Sequence, residues 1–307
     1  MNTKIIAFYL PQYHPFKENN EWWGAGFTEW TNVTTAQPLF KGHYQPKIPK
    51  DLGFYDLRLP ESREEQIKLA QEAGVYGFCY WHYWFGKNKE LMERPFNEVV
   101  SSGVPDFPFC IGWANESWLN KQWNADGTLK GGKLLIEQKY EGLEDYKAHF
   151  NKLLPAFKDK RYILIDNCPL VFIHRAILLP TEIITIWNQM AQEHGFSGIY
   201  FVGRLTYAEY MENKFNLLLN KGFNAITIGR LGNSILKESK IKRLTRHLIG
   251  YLKYNGCTRI ASYDKEIQYY SEDIDKREDV FPAIYPNWDH SPRSKKTGLI
   301  INNSTPQ

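Results

Sequence analysis

The stretch "PESREEQIKLAQEAGVYGFCYW", residues 60–81, decides the fold class because a helical pattern leads directly into a buried strand. Its first part has acids near the start, apolar side chains at helical spacing from Ile67 to Ala73, and a final Gly74 that suits a left-handed cap. Its second part, 75–81, is apolar on both faces, as in a strand of a parallel sheet that is covered on both sides.

The same arrangement repeats along the chain. Helical patterns span 143–157 and 181–195, and further apolar runs are "IIAFYL" (5–10), "PFCIGW" (108–113), "PLVFIH" (169–174), "GIYFVG" (198–203), "FNAITIG" (223–229) and "VFPAIY" (280–285). "RYILID" (161–166) nearly adjoins "PLVFIH", so we predict that it forms the outer arm of a hairpin. The alternation predicts an α/β fold with a parallel sheet, either doubly wound or a (β/α)8 barrel.

Strand-end loops rich in aromatic and acidic side chains favour the barrel, because its chemistry is spread over many strand ends. These loops are "FYLPQYHP", "CYWHYWFG", "GWANESW" and "YPNWDHSPR", and neither GxGxxG nor GxxxxGK[ST] occurs. We therefore predict a single domain, residues 1–307, with a TIM-type (β/α)8 barrel. After Tyr285 only 22 residues remain, so we expect an incomplete barrel in which the last helix and strand are missing.

Composition restricts the function classes. A net charge of +4 does not point to nucleic acid, and no run approaches the roughly 18 to 20 apolar residues of a membrane span. The first residues are too short an apolar stretch for a signal peptide, so we expect a cytoplasmic protein. The four cysteines are scattered and no HxH or HExxH pattern occurs, so we expect neither a metal nor another cofactor.

One local charge imbalance stands out. Residues 237–259 carry seven basic side chains against one acid, Glu238. Within this segment apolar side chains fall on one helical face, at Ile241, Leu244, Leu248 and Leu252. The ordinary interpretation is an outer helix packed on the sheet with a solvated basic face; the alternative is peripheral contact with an anionic membrane or a polyanionic glycan.

Aromatic side chains beside carboxylates and amides suit sugars, because a pyranose offers an apolar C–H face and a rim of hydroxyls. The aromatic fraction is 15%, and most of the 10 tryptophans lie in or beside the strand-end loops. The predicted substrate-binding residues are Tyr9, Gln12, His14, Trp23, Glu29, Trp30, Trp81, His82, Trp84, Trp113, Asn115, Glu116, Trp288, Asp289 and Arg293.

Three of these residues are also candidates for catalysis. Glycoside chemistry typically uses two carboxyl groups, and Glu29, Glu116 and Asp289 each adjoin a tryptophan that can desolvate them. The alternatives are structural: Glu29 and Glu116 can hold loop amides, and Asp289 can form a loop ion pair with Arg293.

Four segments carry a family resemblance: "FYLPQYHPFKENNEWWGAGFTEWTNV" (8–33), "FCYWHYWFGKN" (78–88), "WANESW" (113–118) and "YPNWDHSPR" (285–293). They strongly resemble the WbsX-type proteins of bacterial surface-polysaccharide loci, which are often labelled glycosyltransferases and are similar to glycoside hydrolase family 99, the endo-α-mannosidases. The resemblance runs from about Ile5 to the end of the chain. It implies a (β/α)8 barrel with a glycan cleft at the strand ends.

The resemblance implies that catalysis would use a pair of glutamates three residues apart, which the hydrolases carry in an Asn-Glu-Trp-x-Glu-Gly segment on the last strand. No such segment occurs here, and "NEW" is found only at 20–22. Glu-x-x-Glu spacing occurs at Glu61 and Glu64 and at Glu141 and Glu144, where helices are predicted to begin. The family's catalytic pair is therefore assigned to no residue of this chain.

Together these observations predict a glycan-active protein of bacterial surface-polysaccharide (O-antigen or capsule) biosynthesis, with an oligosaccharide or polysaccharide partner and a hydrolase-like cleft. Two alternatives stay open. One is a nucleotide-sugar-dependent glycosyltransferase, and the other is a non-catalytic glycan-binding remnant that lacks the last strand.

Overall fold

The computed structural model describes residues 3–123 and 129–305. The strands are β1 (Ile6–Tyr9), β2 (Gly77–Trp84), β3 (Glu90–Leu91), β4 (Phe109–Trp113), β5 (Trp118–Trp123), β6 (Leu129–Ile136), β7 (Leu164–Ile165), β8 (Cys168–Ile173), β9 (Tyr200–Thr206), β10 (Ala225–Gly229), β11 (Ile260–Ser262) and β12 (Ile300–Asn302). The α-helices are α1 (Lys17–Trp23), α2 (Glu29–Thr35), α3 (Pro60–Glu72), α4 (Arg94–Ser102), α5 (Leu143–Phe157), α6 (Thr181–Glu193), α7 (Tyr207–Met211), α8 (Lys214–Lys221), α9 (Asn233–Leu236), α10 (Lys240–Lys253), α11 (Tyr263–Glu266) and α12 (Ser291–Ser294).

The main sheet is parallel and adds strands in one direction. Within the described residues its order is β1-β2-β4-β8-β9-β10, and each neighbouring pair is parallel. A doubly wound sheet would reverse direction at a switch point, so this order is that of successive barrel strands. The parallel α/β prediction is confirmed, and the sheet curls into a half-barrel with helices on its convex side; a complete eight-stranded barrel stays a prediction.

Individual elements mostly agree with the sequence patterns. Helices α3, α5 and α6 lie where they are predicted, and Gly74 after α3 has a left-handed φ of 74°. The run 161–166 contributes β7, which pairs antiparallel with β8 as the predicted hairpin.

The run "VFPAIY" (280–285) is a wrong strand prediction. It makes one isolated parallel bridge, between Val280 and Ile226 of β10. The run continues the strand order at that point, but Pro282 has no N–H to donate to a ladder, so pairing does not extend. Three pairings among these strands were not predicted: β3 pairs antiparallel with β2, β11 pairs with β12, and β5 and β6 form a hairpin that follows β4.

The convex side of the sheet is held to its helices by buried aromatic rings. The ring of Trp84 stacks on His149 of α5, with centroids 4.5 Å apart and planes 1° apart. Trp113 of β4 donates its indole N–H to the carbonyl oxygen of Trp84 at 3.0 Å, and its ring lies 6.2 Å from that of Trp187 in α6. Offset and edge-to-face rings add attraction beyond the area that they bury, so these contacts fix where α5 and α6 lie on the sheet.

A histidine pair lies inside the same cluster. His82 and His149 are buried, and their Nε2 atoms are 2.7 Å apart, which requires one ring to donate and the other to accept. Burial lowers the pKa of His82 to about 3 and holds the pKa of His149 well below its ordinary value. Both rings are therefore neutral in the folded protein at neutral pH.

Acid is predicted to destabilise the protein through this pair. At a pH above the unfolded-state pKa of about 6.5, both histidines are neutral in the folded and in the unfolded chain, so they do not make the free energy of unfolding depend on pH. As the pH falls below that value toward 3, the unfolded chain binds protons that the folded chain excludes. Each histidine then removes up to about 1.4 kcal/mol of unfolding free energy per pH unit, which urea unfolding between about pH 7 and about pH 5 measures.

Two variants isolate this contribution. His149→Phe keeps a ring against Trp84 and removes one titrating group, so its stability should be lower at neutral pH but should fall less steeply with acid. His194→Phe, at an exposed histidine after α6, should keep the wild-type slope. Equal slopes in all three proteins would contradict the assignment.

Candidate functional site

Four predicted site residues face the helices and not the open side of the sheet. Tyr9, His82, Trp84 and Trp113 are all buried, and the Tyr9 hydroxyl donates to Gln66 of α3 at 2.6 Å. The strands β2 and β4 extend through Trp84 and Trp113, so these positions belong to strands and not to loops. Because successive strand side chains point to opposite faces, the prediction that these four contact a glycan is corrected: they hold the sheet to its helices.

The opposite, concave face carries an aromatic platform. The half-exposed ring of Phe8 stacks on Trp81, with centroids 4.8 Å and planes 11° apart, and Phe172 closes the edge at 5.8 Å from Trp81. Gly112 makes room for this arrangement, because a Cβ there would lie 3.0 Å from Cys79 Sγ and 3.4 Å from the Trp81 ring. Trp81 lies on this open face of the sheet, and its contact with a substrate remains a prediction.

A carboxylate and an imidazole meet beside this platform, at the carboxyl ends of β4 and β8. Glu116 Oε1 lies 3.6 Å from His174 Nε2, and the His174 ring lies edge-on to Trp81 at 5.4 Å. His174 Nδ1 is buried and has no hydrogen-bond partner among the described residues. The Glu116 side chain is about half exposed and the His174 side chain is partly exposed, so this pair presents a carboxylate and an imidazole to solvent.

Asn115 holds the two strand ends together. It is fully buried; its Oδ1 accepts the Arg175 N–H at 2.8 Å, and its Nδ2 donates to the Arg175 carbonyl at 3.2 Å. The same Nδ2 donates to the Tyr140 hydroxyl at 2.8 Å. Asn115 therefore positions the segment next to Glu116 and is not itself accessible.

Two adjoining grooves open at this edge of the sheet. One has a volume of about 280 Å³ and is lined by Asn115, Glu116, Ser117, Gln138, Tyr140, Arg175 and Leu178. The other is lined by His174, Arg175, Ala176, Ile177, Leu178, Arg204 and Glu209. Gln138 and Tyr140 follow the β5–β6 hairpin, so that insertion brings the outer wall of the first groove to the strand ends. Burial raises the pKa of Tyr140 to about 12, so its hydroxyl keeps its proton and can donate it.

A second polar cluster joins the first loop to the C-terminal segment. Arg293 binds Glu29 through both oxygens, at 2.5 and 3.0 Å, and also donates to Gln12 Oε1 at 2.9 Å. The suggested ion pair of Arg293 with Asp289 is therefore wrong. Glu29 is almost fully buried in this bidentate bridge, so its carboxylate is used to link α2 to α12.

Tyr83 lies between the two clusters. It is buried, burial raises its pKa, and it interacts electrostatically with Arg293, Glu29 and Glu116. The Trp118 ring packs edge-on against it at 5.2 Å. The two polar clusters thus belong to one face of the molecule.

Asp289 is a structural residue in this fold. Its side chain is buried, and it accepts hydrogen bonds from Gln45 at 2.5 Å and from the Ser291 N–H at 2.9 Å, with His43 Nε2 also at 2.9 Å. Burial would raise its pKa, but these hydrogen bonds outweigh burial and the net shift is downward. The suggestion that Asp289 is a candidate for catalysis is corrected, because its oxygens are used by Gln45, Ser291 and His43. Trp288 beside it is partly exposed against His290.

The remaining predicted residues lie in the first loop. His14 is buried, burial lowers its pKa, and its Nδ1 has no partner among the described residues. Trp30 donates its indole N–H to the Tyr55 carbonyl at 2.8 Å, which is a packing role. Trp23 is exposed on α1 with Phe27 at 5.9 Å, so it remains available as a contact.

Several residues of this site were not predicted, notably Phe8, Tyr140, His174, Arg175 and Arg204. One signal was available for His174: it lies two residues after Phe172 in "PLVFIH", so it shares that strand's face and extends past its end. Tyr140 had no comparable signal, because its position depends on a hairpin insertion.

The chain matches the family model described as Glycosyltransferase WbsX over residues 5–307. The chain belongs to the WbsX family. This WbsX-family chain is 33% identical over 311 residues to the uncharacterized protein WxcX of Xanthomonas campestris pv. campestris, an alignment that covers 99% of the chain and 41% of WxcX. The chain thus spans about two fifths of the length of that relative.

Solved structures resemble the WbsX-family fold at low sequence identity. A glycoside hydrolase-like protein aligns with 98% of this chain and 77% of its own, at 13% identity and a TM-score of 0.54. The family 99 endo-α-mannosidase of Bacteroides thetaiotaomicron aligns with 73% of this chain and 58% of its own, at 12% identity and a TM-score of 0.43. The resemblance predicted from the sequence is confirmed at the level of the family.

The Glu29–Arg293 bridge is predicted to contribute measurably to stability. Glu29→Gln should lower the free energy of unfolding by about 1 to 2 kcal/mol, less than for a fully buried pair because the guanidinium is partly in water. Glu21→Gln is the matched control, because Glu21 forms an exposed pair with Lys17 in α1. Urea unfolding of both variants measures the difference, and equal effects would show that the bridge is no more than a surface pair.

Proposed function

We propose that this chain is a single glycan-binding barrel domain that acts on glycosidic bonds in bacterial surface-polysaccharide biosynthesis. The observation that carries the proposal is the juxtaposition of the Trp81 platform with the Glu116–His174 pair at the carboxyl edge of a parallel sheet. Active sites of barrels lie at that edge. The name of the matched family, and the glycoside hydrolase-like protein that shares the fold, support a carbohydrate as the substrate.

The geometry suits a sugar in a defined way. A pyranose stacked on the exposed ring of Phe8 would bury its C–H face, while Glu116 and the partly exposed imidazole of His174 would receive or donate hydrogen bonds at its hydroxyl rim. Tyr140 would donate from the adjoining groove. We assign Glu116 the role of a substrate contact and not of a catalytic residue. Glycosidases typically use two carboxyl groups. The second carboxylate at these grooves, Glu209, already accepts a hydrogen bond from Thr206 in the cap of α7.

Sugar-nucleotide-dependent transfer is the second candidate. It is favoured by Arg175 and Arg204, which line the same groove as His174 and offer positive charge for a diphosphate. The name of the matched family agrees with this candidate.

The Glu116 contact is tested by charge removal. Glu116→Gln keeps the shape of the side chain and should weaken oligosaccharide binding roughly tenfold, because hydrogen bonds to a charged acceptor contribute about 1.5 to 3 kcal/mol. Binding to mannose-rich and bacterial surface oligosaccharides is measured by calorimetry. Glu193→Gln, at an exposed position near the end of α6, should bind like the wild type; the same affinity in both variants would contradict the proposed cleft.

Thermal melting separates the two candidates. A stabilising shift with oligosaccharide alone supports the hydrolase-like cleft, because a ligand that binds the folded state raises the melting temperature. A shift that requires a sugar nucleotide and is lost in Arg204→Gln supports transfer. If neither oligosaccharide nor sugar nucleotide raises the melting temperature, both candidate functions are contradicted.

A further inference from the structure

Helix α10 is oriented with its apolar side away from the protein. Ile241, Leu244, Leu248 and Leu252 are each between 59% and 79% exposed. With Tyr251 and Ile249, which are also exposed, they span an arc of about 160° around the helix. A helix that packs on a sheet buries this arc, so the interpretation of 237–259 as an ordinary outer helix is corrected.

The polar side of α10 is the side that contacts the protein. Gly250 is buried, and a Cβ at that position would lie 2.8 Å from the Cys257 carbonyl oxygen. Arg246 donates to Glu238 at 2.7 Å and also to the Thr258 carbonyl. These contacts hold the helix by the face opposite its leucines, which leaves the apolar arc outermost.

Basic side chains border the apolar arc. Lys240 lies at one edge and Lys242 and Lys253 at the other, all exposed, and α10 contains no acid. Long lysine stems can extend their ammonium groups away from a buried apolar strip. An apolar strip about 16 Å long with cations at both borders is the arrangement of a helix that lies in the plane of a lipid interface.

We propose that α10 docks the protein on the surface of an anionic membrane. The leucine face would enter the boundary between headgroups and acyl chains, and the bordering lysines would pair with anionic headgroups. None of the helices in residues 3–123 and 129–305 is long and apolar enough to cross a bilayer, and α10 itself has 14 residues. A purely apolar partner would leave the lysines unmatched, and a soluble polyanion would leave the leucines in water.

The test is cosedimentation of the full chain with vesicles of phosphatidylcholine alone and of phosphatidylcholine mixed with phosphatidylglycerol. The wild type should bind the mixed vesicles at least roughly tenfold more strongly than the neutral ones, and added salt should weaken that binding. Leu244→Ser/Leu248→Ser should lose binding roughly tenfold or more. Lys240→Gln/Lys242→Gln/Lys253→Gln should lose the preference for phosphatidylglycerol.

Met211→Ser/Leu217→Ser is the matched control, because both side chains are exposed apolar residues on the separate helices α7 and α8. It should bind vesicles like the wild type, and circular dichroism checks that every variant is folded. Wild-type protein that binds neither vesicle overturns the proposal. Equal losses in the control and the α10 variant also overturn it, as does a concentration-dependent dimer in light scattering that the α10 variant abolishes while vesicle binding is absent.

Discussion

The open face of this protein depends on the buried aromatic contacts that hold β2 and β4 against α5 and α6. Trp84, His149, Trp113 and Trp187 interlock across the sheet–helix boundary, and the indole of Trp113 is hydrogen-bonded to the backbone of β2. Because one face of each strand packs on the helices and successive side chains of a strand point to opposite faces, the alternate side chains lie on the other face of the sheet. The position of Trp81 is thus a consequence of where Trp84 and His82 are buried.

The same logic explains why polar groups gather at one edge. The strands β1, β2, β4, β8, β9 and β10 run in the same direction, so their carboxyl ends meet. Glu116 follows β4 and His174 follows β8, two neighbouring strands of the sheet, although the two residues are 58 positions apart in the chain. Asn115 then fixes the spacing by bonding both backbone groups of Arg175. Rigid strands with a buried amide tie keep the pair in place, which a binding site requires.

Helix α10 follows a different rule from the helices around the sheet. Helices α5 and α6 bury their apolar sides, whereas α10 is attached through Gly250 and Arg246 and presents its leucines outward. Amphipathic sequence alone is the same in both situations. Which side of the helix packs on the protein depends on the segment beside it. Here that segment contains Cys257 and Thr258, which lie so close to α10 that only a glycine fits at position 250.

The sequence by itself determined the family, the parallel α/β class, the helices α3, α5 and α6, and the cluster of aromatic and acidic residues after the strands, because periodicity and glycine caps are local properties. Only the tertiary structure decided which of those residues reach solvent. A strand that is apolar on both faces gives no local indication of which face meets the helices, so Trp81 and Trp84 look alike in sequence. The Glu29–Arg293 salt bridge and the contact of Asp289 with His43 join residues more than 240 positions apart, and no local pattern encodes such a distance.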